Sequence, residues 1–173
     1  MNNHSTFGAE LPKPEPLATW TSQEKWVWEK ISAGDKADFN QADGYGGSLD
    51  PKKTDGWTAN RKLRQEFLEA MLLREPFCSA VTRKGLYIEG GWFEEPLDLM
   101  LATVSCDLLL SRCRFENSVY MAGLKTSSLL SFQGSKFANK LDLNGARIEN
   151  DLFMRNVDNQ AVIHRLWITF YSR

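Results

Sequence analysis

Four residues of types that perform acid–base chemistry recur at a constant interval in this sequence. Asp98, Tyr120, Asp142 and His164 are each 22 positions apart. Carboxylates, a phenol and an imidazole held on one surface could exchange protons with a bound substrate. A solvated polar surface is the alternative interpretation. These residues can act together only if the fold places positions 22 apart side by side. Whether it does depends on the secondary structure that carries them.

A second group of acidic residues occurs in the Gly- and Asp-rich segment between residues 35 and 56. From Asp38 the spacing is D-x-N-x-x-D-G, which misses the ligand ladder of a calcium loop by one residue. The "GYGG" stretch (44–47) lacks the Lys and Ser/Thr of a phosphate-binding loop. We therefore expect a solvated loop that forms turns, with no metal site.

Histidine and cysteine also show no metal-binding arrangement. The two histidines, His4 and His164, have no Cys or second His at ligand spacing. The three cysteines, Cys78, Cys106 and Cys113, are an odd number without the spacing of a disulfide framework. This pattern predicts no cofactor and no metal, and it favours the reducing cytoplasm.

Composition sets further limits. The 173 residues are enough for one domain with a sizeable core, and the net charge is −1. The net charge is too small to attract a nucleic acid or an anionic membrane, and no nucleic-acid partner is predicted. No stretch approaches the ~20 apolar residues of a membrane span, and the first 20 residues lack the apolar run of a signal peptide.

An 11-residue repeat underlies the spacing of the polar row. Apolar or small residues recur at offsets 0, 2, 5 and 7 in units that begin at 86, 97, 108, 119, 130, 141 and 152. An 11-residue period also occurs in right-handed helical coiled coils, but residues two apart share one side of a strand and not of a helix. Glycine at offset 4 suits a corner, and the small residue at offset 5 favours a tight inner turn over a hairpin array. The repeat predicts a β-solenoid.

The spacing resembles that of the pentapeptide-repeat family, whose units place a small residue and then Leu or Phe inward, two positions apart. In "GARIEN" these would be Ala146 and Ile148. The resemblance covers about residues 85–157 and implies a right-handed, quadrilateral β-helix. It departs from the family because every second face has six residues and because Leu or Val often replaces Ala. Two units would make one coil of 22 residues, giving about 3.5 coils.

The expected fold is therefore mainly β, with an N-terminal α-helical cap in residues 1–84 and the β-helix in residues 85–173. Within the cap, after a disordered start, "TSQE" (21–24) is a capping box before a helix that ends near Gly34. The strongest helical pattern begins at Thr58, with its apolar face carrying Leu63, Phe67, Ala70 and Met71. The stretch "ADFNQA" (37–42) echoes the repeat, and whether it adds an early strand is left open.

One outward row is unusually apolar and is the predicted interaction surface: Tyr87, Leu109, Ser131 and Phe153. Contiguous exposed apolar surface usually marks a contact. Either the helix of residues 58–74 or a second subunit could cover it, and we favour the helix.

The repeat decays after residue 160, because Arg165 takes an inward position in a degenerate last unit. Trp167 and Phe170 would lie near the uncapped end of the solenoid. We expect them to form a homodimer contact if the protein dimerises, because an open coil end also offers unpaired strand edges.

The sequence predicts a non-enzymatic protein-interaction or scaffold module with an unknown protein partner. One alternative is a DNA mimic that protects a topoisomerase, as some pentapeptide-repeat proteins are. That function needs an acidic rod, whereas residues 85–173 hold 9 basic and 10 acidic side chains. A β-helix enzyme acting on carbohydrate, using the polar row, is a further alternative. Two short basic rows, Arg114 with Lys136 and Lys125 with Arg147, could meet phosphate or an acidic partner, but rows of two residues are expected to be ordinary surface.

Overall fold

Residues 13–159 are described by a computed structural model, and they form a parallel β-solenoid of about three turns with four sheets and few helices. From residue 86 onward, each pairing joins positions 22 apart, such as Leu108 with Leu130 and Leu97 with Val119. Two 11-residue units therefore make one coil, as the repeat predicts. The class of fold is confirmed, and the described coils number about three.

The helices are α1 (Ser22–Ser32), α2 (Gln65–Leu73) and α3 (Phe77–Ala80), with a short 3-10 helix at Ala59–Arg61. Sheet 1 contains β1 (Ala37–Asp38), β2 (Leu86–Glu89), β6 (Leu108–Ser111), β10 (Leu130–Ser131) and β14 (Leu152–Phe153). Sheet 2 contains β3 (Trp92–Phe93), β7 (Arg114–Phe115), β11 (Lys136–Phe137) and β15 (Asp158–Asn159). Sheet 3 contains β4 (Leu97–Asp98), β8 (Val119–Tyr120) and β12 (Leu141–Asp142). Sheet 4 contains β5 (Thr103–Val104), β9 (Lys125–Thr126) and β13 (Arg147–Ile148).

The interior of the solenoid consists of columns of side chains, one residue per coil. Phe93, Phe115 and Phe137 form the clearest column, with ring centroids 4.8 and 4.6 Å apart and planes within 8° and 3° of parallel. Their separation matches the distance between neighbouring strands, because each ring is carried by one strand of sheet 2. The column buries large apolar area and fixes the vertical register of the coils.

Each 11-residue unit turns a corner at its offset-4 residue, which has a left-handed backbone conformation in all seven units. These residues are Gly90, Leu101, Arg112, Gly123, Gly134, Gly145 and Asn156. Glycine adopts this conformation without steric cost, and asparagine tolerates it better than most residues. Leu101 and Arg112 hold it at φ 58° and 48°. These two corners are strained.

Small side chains at offset 5 allow polar contacts between coils inside the stack. The fully buried Ser135 hydroxyl donates to the Leu110 carbonyl at 2.8 Å and accepts from the Cys113 amide at 3.0 Å. Burial raises the pKa of the Cys113 thiol to about 12. Cys113 is therefore a packing residue at ordinary pH, as its inward position predicts.

The N-terminal region supplies an irregular first layer beneath the solenoid. The Thr21–Glu24 capping box is present, and α1 ends at Ser32 before a left-handed Gly34. The strand left open by the sequence does form: β1 pairs with β2 and adds a fifth strand to sheet 1.

The helix expected from Thr58 begins instead at Gln65, which corrects its N-terminal boundary. Lys62 pairs with Trp92, and the Leu63 amide donates to the Trp92 carbonyl at 2.8 Å. An extended backbone at Lys62 and Leu63 satisfies the open edge of sheet 2, and a helix there could not do so. The side chain of Leu63 is still buried.

The position of α2 corrects a second expectation. Its main neighbours are α3 and β5, and its buried Phe67 and Met71 join the same core cluster as the inward residues of the first coil. The helix thus covers the end of the stack, and the prediction that it lies along the Tyr87 row is wrong. Covering the end of the stack removes more apolar area from water than covering the Tyr87 row would, because the interior columns would otherwise be exposed there.

Arg61 holds the Gly- and Asp-rich loop against the solenoid. Its fully buried guanidinium donates to the Phe39 and Tyr45 carbonyls at 3.0 and 2.7 Å, and to the Asn40 Oδ1 at 2.9 Å. It also donates to the Gly90 carbonyl of the first coil at 3.3 Å. Backbone dipoles therefore stabilise this buried cation, and the loop carbonyls point towards it.

Candidate functional surfaces

The apolar row predicted from the sequence lies on the outer face of sheet 1, and we call it the Tyr87 ladder: Tyr87, Leu109, Ser131 and Phe153. Strand pairing places each member directly against the next. Tyr87 and Leu109 are half-buried, Ser131 is buried, and Phe153 is 46% exposed. The four residues are therefore neighbours along the sheet, and the apolar surface is most accessible at the Phe153 end.

A charged cluster borders the Tyr87 end of the ladder. The Lys36 Nζ atom lies 5.3 Å from the centroid of the Tyr87 ring, and it pairs with Asp38 at 2.7 Å and Glu89 at 2.9 Å. Partial burial alone would lower the pKa of Lys36, but hydrogen bonds with these two carboxylates outweigh burial and raise it. Lys36 therefore stays charged and gives the ladder a polar boundary at this end.

The structure also brings together the described members of the polar row. Asp98, Tyr120 and Asp142 are paired neighbours on sheet 3, whereas His164 lies outside the described residues. The Asp98 carboxylate accepts from the Met100 amide at 2.9 Å, and Asp142 accepts from the Asn144 amide at 3.1 Å. In both cases a side chain accepts from the backbone amide two residues later, and such bonds stabilise the corners. Asp142 also accepts from Lys140 Nζ at 2.7 Å, so both carboxylates have structural partners.

The basic row on sheet 2 is not an open surface. Arg114 and Lys136 are 6% and 8% exposed. Arg114 donates to the loop carbonyls of Pro51 and Lys53 at 2.7 and 3.1 Å and also pairs with Glu116. The Lys136 ammonium pairs with Asp158 at 3.0 Å. These cations attach the loop and link strands, and the expectation that they form ordinary surface is wrong for this pair.

The second basic row is exposed as expected. Lys125 and Arg147 are paired neighbours on sheet 4, and within residues 13–159 neither forms an ion pair. They border a shallow groove of about 260 Å³.

One site that the sequence interpretation missed is a cleft beside the corner between sheets 1 and 2. We call it the corner cleft; its volume is about 530 Å³, and it lies between the loop segment 48–52 and the corner residues Arg112, Gly134 and Asn156. The sequence contains one signal of it, since Arg112 and Asn156 replace the glycine common at offset 4. The approach of the loop to this corner depends on the distant contacts of Arg61 and Arg114, which no local pattern reveals.

A second missed feature is an apolar projection at the opposite corner. Leu101 is 77% exposed and Met100 is 50% exposed. The strained backbone of Leu101 holds its side chain across Gly123, where an added Cβ would lie 2.6 Å from a Leu101 methyl carbon. Gly123 therefore provides the space that Leu101 occupies.

The remaining predicted contact residues, Trp167 and Phe170, fall in 160–173, outside the described residues. Their role in a homodimer stays a prediction. In the Asp-rich loop, Asp38 and Asp50 accept from the backbone amides of Asn40 and Lys52 at 3.0 Å each. Between residues 13 and 159, no group of three His, Cys, Asp or Glu side chains is arranged to hold a metal ion.

No protein-family model, curated protein or solved structure matches this chain. None of the helices in the described part of the chain has the length and apolar character needed to cross a membrane. The parallel four-sheet solenoid is thus the class of protein that the structure supports.

Proposed function

We propose that this chain is a divergent member of the pentapeptide-repeat type and acts as a non-enzymatic protein-interaction module. The 22-residue coil, the four sheets and the inward pair of a small and a large residue support the family assignment. A right-handed winding is part of this proposal. We place the protein in a reducing compartment, which the free thiols of Cys78, Cys106 and Cys113 support.

The Tyr87 ladder is the observation that carries the proposed function. Its members sit on consecutive strands of one sheet, so their spacing is set by backbone hydrogen bonds and does not vary with side-chain motion. A preorganised apolar row loses little conformational entropy when a partner docks. The exposed Phe153 ring is the strongest anchor, because buried aromatic side chains dominate binding energy at interfaces.

The partner that this surface fits is a protein with an apolar ridge bordered by charge. Leu109 and Phe153 would contact the ridge, and the Lys36 cluster would meet polar groups at its edge. The alternatives gain no comparable support: Asp98 and Asp142 are engaged in corner hydrogen bonds, and basic and acidic side chains are mixed along the solenoid.

Site-specific photocrosslinking tests this proposal. A photoreactive phenylalanine analogue is placed at Leu109 or at Phe153 in the full chain, with the same analogue at Lys125 on sheet 4 as the matched control. In cells that naturally contain the protein, the two ladder positions should capture the same protein, and Lys125 should not. Equal capture from all three positions, or capture from Lys125 alone, would exclude the ladder as the docking surface.

A surface variant provides the second arm. Phe153→Glu should abolish capture by an analogue at Leu109, while far-ultraviolet circular dichroism and the melting temperature show that the fold persists. Because Phe153 is exposed, the charge can remain solvated. Unchanged capture in this variant would mean that the captured protein does not use the ladder.

A further inference from the structure

The corner cleft contains a combination of features that the protein-interaction role does not use. Arg112 keeps a left-handed backbone at a position where two of the three other residues in the same corner column are glycine. Strained residues persist where the surrounding structure holds them, and they concentrate at binding sites. A glycine at position 112 would relieve the strain but would lose the only guanidinium that residues 13–159 contribute to the cleft.

The polar groups around Arg112 are complementary to a negative charge. Lys52, Ser48 and Asn156 line the same cleft, and their side chains carry an ammonium, a hydroxyl and an amide. Asp50 is the one acidic residue of the lining, and its carboxylate accepts from the Lys52 amide at 3.0 Å. The lining therefore has two cations, one anion already engaged in a turn, and two neutral side chains able to donate.

The charge of Arg112 is only partly balanced by the protein. Its Nε atom lies 3.6 Å from a Glu89 carboxylate oxygen, which is longer than a hydrogen bond. Glu89 already pairs more closely with Lys36, at 2.9 Å. The Arg112 side chain is 58% exposed, so its guanidinium can form a paired hydrogen bond with an incoming oxyanion.

Gly134 gives the Arg112 side chain its path beside the cleft. A Cβ added at Gly134 would lie 3.2 Å from the Arg112 Cγ atom, which is tighter than an ordinary contact. The residue above Arg112 in the corner column therefore has no side chain that would compete for the space. Asn156, one coil further on, lines the cleft beyond Gly134.

We infer that the corner cleft is a binding site for a small ligand with a phosphate or carboxylate group, held by Arg112 and Lys52. Both groups are planar or tetrahedral oxyanions that a guanidinium and an ammonium recognise in common. The volume of about 530 Å³ is that of a small-molecule site. This site lies at a corner and not on the Tyr87 ladder, and the inference does not rest on the proposed protein interaction.

Nuclear magnetic resonance on the ¹⁵N-labelled full chain tests the inference, with sodium phosphate and sodium acetate as separate probes against sodium chloride at equal ionic strength. Phosphate, acetate or both should cause saturable shifts concentrated in the amides of 48–50, 52, 112, 134 and 156. Arg112→Gly should weaken binding at least tenfold, and Lys52→Ala should weaken it severalfold. Arg147→Ala, which removes an exposed cation from sheet 4, should leave the affinity unchanged.

Arg112→Gly is a sharp test because the variant should fold at least as well as the parent protein. Glycine already occupies the equivalent corners at positions 90 and 134. Loss of binding without loss of melting temperature supports the site. Shifts that do not saturate, shifts spread over many surfaces, or equal affinity in Arg112→Gly would overturn it, and Arg112 would then be a strained corner with no ligand.

Discussion

Glu24 and Arg64 form a bidentate ion pair that joins the first turn of α1 to the residue before α2. The Arg64 Nε atom donates to one Glu24 oxygen at 2.9 Å, and Nη2 donates to the other at 2.6 Å. The Arg64 backbone amide also donates to this carboxylate, at 3.0 Å. Glu24 is fully buried, so one carboxylate organises the start of both helices.

Glu24→Ala should lower the free energy of unfolding by about 3 kcal/mol, because it leaves the backbone amides and the guanidinium without their acceptor. Urea denaturation of the two proteins measures this. The matched control is Glu29→Ala, which removes an exposed carboxylate from the same helix and should change stability by less than about 0.5 kcal/mol. Equal losses in the two variants would contradict a special role for the pair.

The same carboxylate should make stability depend on pH in the acidic range. Burial alone would raise the pKa of Glu24, but hydrogen bonds from the Arg64 side chain and from the Thr21 and Arg64 amides outweigh it and lower the pKa below its ordinary value. A lowered folded-state pKa adds stability above the unfolded value, and this stability is lost as pH falls through the folded value. Melting temperatures between pH 7 and pH 3 should therefore fall more steeply for the parent protein than for Glu24→Gln. Parallel curves would show that the group does not contribute.

Leu101→Gly should stabilise the protein by about 0.5–1 kcal/mol, because the left-handed conformation costs a side-chain-bearing residue about 1–2 kcal/mol and the lost side chain is exposed. Met100→Gly is the matched control, since its side chain is also exposed but its φ is not positive. That variant should lose about 0.5–1 kcal/mol through the entropy of the unfolded chain. Chemical denaturation decides the point, and destabilisation by Leu101→Gly would show that its side chain packs usefully.

Leu143→Asp should cost several kcal/mol, because Leu143 is 2% exposed and points into the stack, where a carboxylate would find no partner. Asn139→Asp introduces the same charge at an exposed bend and should change the melting temperature little. Similar melting temperatures of the two variants would refute the inward assignment of the offset-2 residues.

The repeat could be predicted from the sequence because each strand has its own apolar signature, repeated without a register slip. The left-handed corner could be expected where Gly90 or Gly145 occupies offset 4, but not at Leu101, because side-chain-bearing residues rarely adopt that conformation. The end of the stack was harder to predict. Helical periodicity continues through Leu63, yet the open edge of sheet 2 competes for that backbone, and this long-range pairing shortens the helix.

Of the two candidate sites, one could be predicted from the sequence and the other could not. The neighbours in the Tyr87 ladder follow from the 22-residue spacing alone, which predicts that Leu109 and Phe153 share one surface. The corner cleft depends on a loop held over the corner by Arg61 and Arg114, whose contacts with Gly90 and Pro51 join residues 29 and 63 positions apart. No pattern of residue types or spacings within the loop indicates which part of the solenoid the loop will contact.

From residue 86 onward, each strand stacks on its counterpart 22 positions earlier, and this has a consequence for how such a chain can grow during evolution. Tandem duplication of one complete coil would lengthen all four sheets by a strand and keep equivalent residues stacked in every column. Duplication of a single 11-residue unit would bring the outward positions of sheet 1 over those of sheet 3, so that Leu109 would adjoin an acidic position and Phe93 would lose its aromatic neighbour. Length should therefore change among descendants in steps of 22 residues.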